Sequence, residues 1–114
     1  MEKAKRLVEF RVYHLVPGMR ERFHKLVETV SLPMLASVSM EVVAHGCSVS
    51  EPDGYYLVRA YDSPEHLAAS QDSFYTSEAW LDGPREAIVS LILWHESATM
   101  WLTADAVAAL REGS

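Results

Sequence analysis

Residues 7–18 read LVEFRVYHLVPG, and the fold prediction starts from this stretch. Its positions alternate in character, with Val8, Phe10 and Val12 on one side and Glu9, Arg11 and Tyr13 on the other. A period of two predicts a strand with one face on a core and the other in a more polar setting. Pro17-Gly18 then ends the strand with a turn.

The rest of the chain divides into two helical regions and three further strands. An apolar stripe at helical spacing predicts a helix from about residue 19, which Pro33 ends or kinks. The turn at residues 51–54 joins two predicted strands in a hairpin. The remaining predicted elements are strands over residues 40–49, 55–62 and 91–102, a helix from Ser63-Pro64 to about residue 74, and a helical stretch over residues 77–89 that breaks at Gly83-Pro84.

The order of these elements is β-α-β-β-α-β, which predicts an α+β, ferredoxin-like domain. Two right-handed crossovers in this order give a four-stranded antiparallel sheet in the spatial order 4-1-3-2, with both helices on one face. We expect this single domain to cover residues 1–103, and residues 104–114 to form a short C-terminal helix or tail. We also expect the first and third strands to be parallel neighbours, which would place Tyr13 and Tyr61 at the same end of the sheet.

The composition argues against several classes of partner. The chain has 114 residues and a net charge of −6, so it offers no basic surface to a nucleic acid or an anionic membrane. Its single cysteine, Cys47, cannot form an internal disulfide, and its five histidines are not spaced to form a metal site. The sequence contains no apolar run of membrane-spanning length and no nucleotide-binding motif. We expect a cytoplasmic protein that uses no cofactor.

A sheet with helices on one side leaves its second face uncovered, and we expect that face to carry Glu9. The residues that the alternation places there are Leu7, Glu9, Arg11, Tyr13, Leu15, Leu57, Arg59 and Tyr61. A patch this apolar and aromatic should be covered by a partner. The simplest partner is the same face of a second copy, so we predict a homodimer whose two sheets close into an eight-stranded barrel.

Residues 8–18 resemble the opening strand and turn of NIPSNAP family proteins, in which an apolar or aromatic residue precedes Glu-x-Arg-x-Tyr-x-Leu-x-Pro-Gly. Further motifs that are similar to those of the family are Tyr61-Asp62-Ser63, Ser77-Glu78-Ala79-Trp80 and His95-Glu96-Ser97. The resemblance implies a dimeric α+β barrel. That superfamily includes cofactor-independent monooxygenases, polyketide cyclases, haem-handling enzymes and members without a known activity, and the NIPSNAP group itself is mostly of undefined function.

The polar residues of the predicted second face are candidates for a ligand pocket inside the barrel. They are Glu9, Arg11, Tyr13, Arg59 and Tyr61, with His95 if the last strand presents it on the same face. Arg59 or Arg11 would hold a carboxylate or enolate, with Glu9 and Tyr13 completing the binding site. His95 or Tyr61 would move a proton. The predicted function is the binding of a small organic molecule between the two sheets. Its candidate chemistry is that of a cofactor-independent lyase, isomerase, cyclase or monooxygenase.

Other interpretations of the same residues remain open at this stage. Glu9 and Arg11 point the same way on one strand, so they could instead neutralise each other at the dimer interface. The protein would then be a non-catalytic interaction or assembly protein whose barrel is filled by side chains. A haem-binding barrel is a third interpretation, although no spacing marks an axial ligand.

Overall fold

Four strands form one antiparallel sheet in a computed structural model that describes residues 4–113. The strands are β1 (Lys5–Leu15), β2 (Glu41–Cys47), β3 (Gly54–Tyr61) and β4 (Ile92–Thr103). They lie in the order β2-β3-β1-β4, which is the predicted order 4-1-3-2. The prediction of an α+β, ferredoxin-like fold is confirmed. Residues 1–3 of the predicted domain and residue 114 of the predicted C-terminal helix or tail lie outside the described residues.

The two central strands are antiparallel, so the expectation that they are parallel neighbours is wrong. A hairpin makes β2 and β3 antiparallel, and the crossover through the first helical region makes β2 run in the same direction as β1. Strand β3 must therefore oppose β1, with Leu7 paired to Tyr61 and Tyr13 paired to Tyr55. Six residue-to-residue steps along β1 separate these two rows, so Tyr61 lies about 20 Å from Tyr13 along the strands.

Helices cover β1 and β3 on the face of the sheet that carries Glu9, so the predicted assignment of the two faces is also wrong. Leu7, Tyr13 and Leu57 of that face belong to the main core, where helical side chains such as Phe23 and Phe74 bury them. The larger aliphatic and aromatic side chains of β1 and β3 are on this face, which gives it the greater apolar area to bury. Glu9 and Arg59 of this face are buried as well and pair with each other.

The helical layer consists of short segments rather than two long helices. The segments are α1 (Arg20–Leu26), a π-helical segment (Val27–Ser31), α2 (Leu32–Ser37), α3 (Pro64–Tyr75), α4 (Glu78–Leu81) and α5 (Arg85–Val89). Pro33 does not end the first helical region, because α2 follows the π-helical segment without a break and contains Pro33 in its first turn. The hydroxyls of Ser63 and Ser77 cap α3 and α4. The predicted break at Gly83-Pro84 separates α4 from α5.

The C-terminal helix α6 (Ala104–Glu112) packs on the opposite face of the sheet. Its Val107 belongs to a second, smaller apolar cluster with Val8 and Val58. The Thr103 hydroxyl accepts a hydrogen bond from the Ala106 N–H at 3.1 Å and so caps the helix. Within residues 4–113, no helix is long and apolar enough to cross a membrane.

Glu9 and Arg59 form a buried ion pair at the centre of the sheet. The register places them directly opposite each other on β1 and β3. Arg59 Nε donates to Glu9 Oε1 at 2.9 Å, and Arg59 Nη2 lies 2.9 Å from the same oxygen. Arg59 is 0% exposed and Glu9 is 4% exposed. Removing two charges from water costs several kcal/mol per ion, so each of these groups requires the other.

Replacing Arg59 with methionine should lower the free energy of unfolding by about 3–5 kcal/mol, because Glu9 would stay buried without its partner. Urea denaturation measures the change. Arg22→Met is the matched control: it makes the same substitution at an exposed position of α1 and should change the free energy by less than about 0.5 kcal/mol. Equal stability of the two variants would show that the ion pair does not hold the sheet together.

Candidate functional site

A cavity of about 730 Å³ lies between the helix-covered face of the sheet and the helices. Strands β1 and β3 line one side, all the segments from α1 to α5 line the other, and the first residues of β4 lie at its edge. Most of its wall is apolar and includes Phe23, Val27, Leu35, Leu57, Trp80 and Ile88. A cavity of this size with a mainly apolar lining is typical of a site for a small organic molecule.

One end of the cavity is polar, and two residues of α3 organise it. The Tyr75 hydroxyl accepts hydrogen bonds from Arg59 Nη1 at 3.0 Å and from Arg11 Nη1 at 3.2 Å. The two guanidinium carbons lie 5.8 and 5.9 Å from the centre of the Tyr75 ring, where cation–π attraction adds to these bonds. Gln71 donates from Nε2 to Glu9 Oε2 at 2.8 Å. Helix α3 therefore supplies uncharged side chains that hold the buried charges in place.

The two arginines differ in how well they are paired. Burial opposes the charge on Arg59, but attraction to Tyr75 and Glu9 outweighs it, and the net effect raises the pKa of Arg59 above its usual value. The side chain of Arg11 is 13% exposed, and its Nη1 lies 4.0 Å from Glu9 Oε2. Among the described residues, the buried Nε of Arg11 has no hydrogen-bond partner. Arg11 thus has a weaker contact with Glu9 than Arg59 has, and it carries its positive charge beside the cavity.

Tyr13 and His95 lie opposite each other on β1 and β4, next to Arg11. Their ring centres are 6.0 Å apart. Burial raises the pKa of Tyr13 to about 12, so its hydroxyl stays protonated at neutral pH. His95 is exposed, but partial desolvation and then repulsion from Arg11 lower the pKa of His95 from its usual value. This shift favours the uncharged imidazole, which can accept a proton.

The structure brings four of the six predicted site residues to one cavity: Arg11, Tyr13, Arg59 and His95. Glu9 lies behind the wall, bound to Arg59, and is covered by the helices, so it does not form an interface pair with Arg11 between two sheets. Tyr61 lies toward the other end of the sheet, and its hydroxyl is 3.3 Å from Gln71 Nε2. The cavity is inside one chain and not between two sheets, because the face that was expected to be open is the one that the helices cover.

Gln71 and Tyr75 are not among the predicted site residues, although the position of Gln71 in the sequence carries a signal. Leu67, Gln71 and Phe74 follow helical spacing, so a polar residue interrupts the apolar stripe that α3 directs at the sheet. A polar residue in a buried stripe indicates a polar partner beneath it, which here is Glu9. Tyr75 is the last residue of α3 and follows Phe74 directly, so it has no comparable signal.

The π-helical segment contributes Val27 and Ser31 to the wall of the cavity. Short π-helical segments are rare and frequently occur at functional sites. The segment allows the first helical region to continue past Pro33 while its inner side chains turn toward the sheet. This irregularity therefore coincides with the cavity and supports its assignment as the functional site.

The described part of the chain forms no metal centre. Within residues 4–113, no group of three or more histidine, cysteine, aspartate or glutamate side chains could hold a metal ion. His24 and His45 approach the same carboxylate, with their Nε2 atoms 3.1 and 3.6 Å from Glu28, but they lie beside β2, on the opposite edge of the sheet from His95.

The pKa of His95, measured by NMR titration, should lie below 6.5. Replacing Arg11 with methionine should raise it, because the repulsion from the guanidinium is removed while the burial remains. Arg22→Met should leave the pKa of His95 unchanged, since Arg22 is exposed on α1. A pKa of His95 at or above its ordinary value in the unmodified protein, or one that does not respond to Arg11→Met, would contradict this geometry.

Comparisons with known proteins show that the fold of this chain is similar to solved structures. No protein-family model matches the sequence, and no curated protein is significantly similar to it. A NIPSNAP family protein with unknown function from Agrobacterium tumefaciens is 22% identical with a TM-score of 0.79, over 90% of this chain and 92% of that one. An uncharacterized NIPSNAP domain protein from Burkholderia xenovorans is 22% identical with a TM-score of 0.76, over 86% of this chain and 95% of that one.

A more distant likeness extends to another group with the same fold. A protein named as a candidate antibiotic biosynthesis monooxygenase from Nitrosomonas europaea is 12% identical with a TM-score of 0.61, over 91% of this chain and 93% of that one. At these identities the likeness shows the fold and not the activity. Several of the solved structures that share it are NIPSNAP family proteins, as the opening strand and turn predict. The chain has the ferredoxin-like fold of these NIPSNAP structures.

Proposed function

We propose that this chain is a NIPSNAP-like protein that binds a small organic molecule in the cavity between its sheet and its helices. The observation that carries the proposal is the cavity itself, about 730 Å³ of mainly apolar wall that meets a polar end formed by Arg11, Tyr13 and Tyr75. Small-molecule sites combine an apolar lining with a few polar groups that fix the orientation of the ligand. The NIPSNAP structures are of uncharacterized proteins, so they suggest no particular substrate.

The chemistry that best fits the polar end is proton transfer on an enolisable substrate, without a cofactor. The carbon–hydrogen bond next to a carbonyl breaks, the proton passes to His95, and the electron pair moves to the carbonyl oxygen. Arg11 stabilises the enolate oxygen that results. A lyase, isomerase, cyclase or cofactor-independent monooxygenase can begin with this step. The fold shared with a candidate antibiotic biosynthesis monooxygenase is consistent with it.

Val89→Trp should weaken the binding of phenylnaphthylamine, an uncharged fluorescent probe, by about tenfold or more. Val89 is 39% exposed at the edge of the cavity, so the larger ring can occupy the cavity without disturbing the core. Val38→Trp is the control, because Val38 is 52% exposed and lies outside the cavity wall. If the unmodified protein shows no saturable binding, or if the two variants bind equally, the alternative of a non-catalytic assembly protein becomes the better account.

We also propose that two chains associate as a homodimer, through the face of the sheet opposite the cavity. Val12, Trp94 and Met100 lie on this face beyond α6 and are 37%, 52% and 49% exposed. Strand β4 is at the edge of the sheet and is 12 residues long, so its outer backbone groups are unpaired within the sheet. Exposed apolar side chains beside an open strand edge are typical of a surface that a partner covers.

Met100→Glu should convert the dimer to a monomer, because a two-fold interface would bring two glutamates into an apolar contact. Light scattering after size-exclusion chromatography measures the mass. The unmodified protein should have twice the mass of one chain at micromolar concentration. Val49→Glu is the control, since Val49 is 105% exposed in the turn between β2 and β3 and should leave the dimer intact. A monomeric unmodified protein, or a dimeric Met100→Glu variant, would contradict the proposed interface.

A further inference from the structure

The cavity wall is positively charged in a protein that is acidic as a whole. The chain has 16 aspartates and glutamates against 10 lysines and arginines. The described residues that line the cavity include three arginines, Arg11, Arg59 and Arg85, and no aspartate or glutamate. The overall composition would favour a negatively charged wall, so the positive charge of the wall must come from the particular residues that line the cavity.

One of these charges is neutralised within the protein. Arg59 contacts Glu9 through both Nε and Nη2 at 2.9 Å, and it donates from Nη1 to Tyr75. The second oxygen of Glu9 accepts a hydrogen bond from Gln71 at 2.8 Å. Glu9 therefore cancels the charge of Arg59, and both of its oxygens already have partners. Arg59 acts as part of the scaffold of the site.

Arg11 has no equivalent partner. Its nearest carboxylate oxygen in Glu9 is 4.0 Å away and is the one that Gln71 already occupies. Its hydrogen bond to Tyr75 is made to a hydroxyl and not to a carboxylate. A guanidinium that is only 13% exposed and lacks a close countercharge is costly, because it has lost much of its hydration. The cavity beside Arg11 is the place from which a countercharge can reach it.

We propose that the ligand is an organic monoanion, a carboxylate or a similar group on a largely apolar body, and that Arg11 binds the anionic group. The inference rests on the proposed function and specifies its ligand class. A guanidinium can hold a carboxylate through two parallel hydrogen bonds, which gives it orientation as well as affinity. The apolar body then lies against side chains such as Phe23, Leu35 and Ile88.

The neighbouring side chains Arg85 and His95 favour a ligand with one negative charge over a ligand with two. Arg85 lines the cavity but is exposed, so water solvates it and it can attract anions toward the opening without a fixed partner. A second positive charge on His95 is disfavoured, because partial desolvation and repulsion from Arg11 lower the pKa of His95. The uncompensated charge at the buried end is therefore the single charge of Arg11.

A matched pair of fluorescent probes separates this inference from the proposal on which it rests. Anilinonaphthalene sulfonate and phenylnaphthylamine share one aromatic body, and only the first carries a negative charge. The unmodified protein should bind both saturably, and the sulfonate about tenfold more tightly or better, because a charge-assisted hydrogen bond contributes that much. Arg11→Met should remove the preference for the sulfonate and leave the affinity for phenylnaphthylamine unchanged. The unchanged second affinity shows that the cavity is intact in the variant.

Two further variants complete the test. Arg11→Lys keeps the charge and should keep part of the preference, whereas Arg22→Met removes an arginine from the surface and should keep all of it. If the unmodified protein binds both probes with equal affinity, or if Arg11→Met keeps the preference, the inference is overturned while binding in the cavity stands. If neither probe binds saturably, both the inference and the proposed function fail.

Discussion

The ion pair between Glu9 and Arg59 is the interaction on which the rest of the site depends. The two side chains meet because β1 and β3 are antiparallel in a register that places them opposite each other. They are on the face that the helices cover, so apolar helical side chains cannot close directly over them without leaving charges unpaired. Gln71 and Tyr75 provide the polar contacts that this position requires. The cavity lies beside that polar contact, where Arg11 reaches the same tyrosine.

The two faces of the sheet have different proposed roles, one in ligand binding and the other in dimer formation. One face holds the cavity, which is built from residues of a single chain. The other face is covered in part by α6 and leaves apolar side chains of β1 and β4 exposed, where we propose that a second chain binds. The first residues of β4 lie at the edge of the cavity, and Trp94 is both exposed and part of the cavity wall. The proposed dimer surface and the cavity therefore meet at the first residues of β4.

The order of the elements could be predicted from the sequence, but the face of the sheet that the helices cover could not. Turn residues such as Pro17-Gly18 and the cap at Ser63 mark boundaries through local chemistry, and the strand order follows from the connections. Alternation in β1 shows that two faces exist without showing which is covered, since both faces carry apolar residues. From the sequence alone, Glu9, Arg11 and Arg59 suggest a face of the sheet that the helices leave uncovered, because the pairing of these charges is not known. That pairing depends on the register between distant strands, which local sequence does not contain.

The residues of the candidate site could likewise be predicted only in part from the sequence. Arg11, Tyr13, Arg59 and His95 could be selected because polar residues share one face of predicted strands. Tyr61 could not be excluded until the direction of β3 was known, since a parallel strand would have brought it to His95. Tyr75 had no sequence signal, because its contact with both arginines depends on where α3 ends above the sheet.

The most direct test of a cavity with one unpaired cation is a crystal structure of the protein soaked with para-bromobenzoate, in which anomalous scattering locates the bromine. This account predicts a carboxylate within hydrogen-bond distance of the Arg11 guanidinium and a bromine among the apolar residues of the cavity. Arg59 should remain bound to Glu9 in that structure. A cavity filled by side chains, or a carboxylate that binds away from Arg11 while the cavity stays empty, would contradict it.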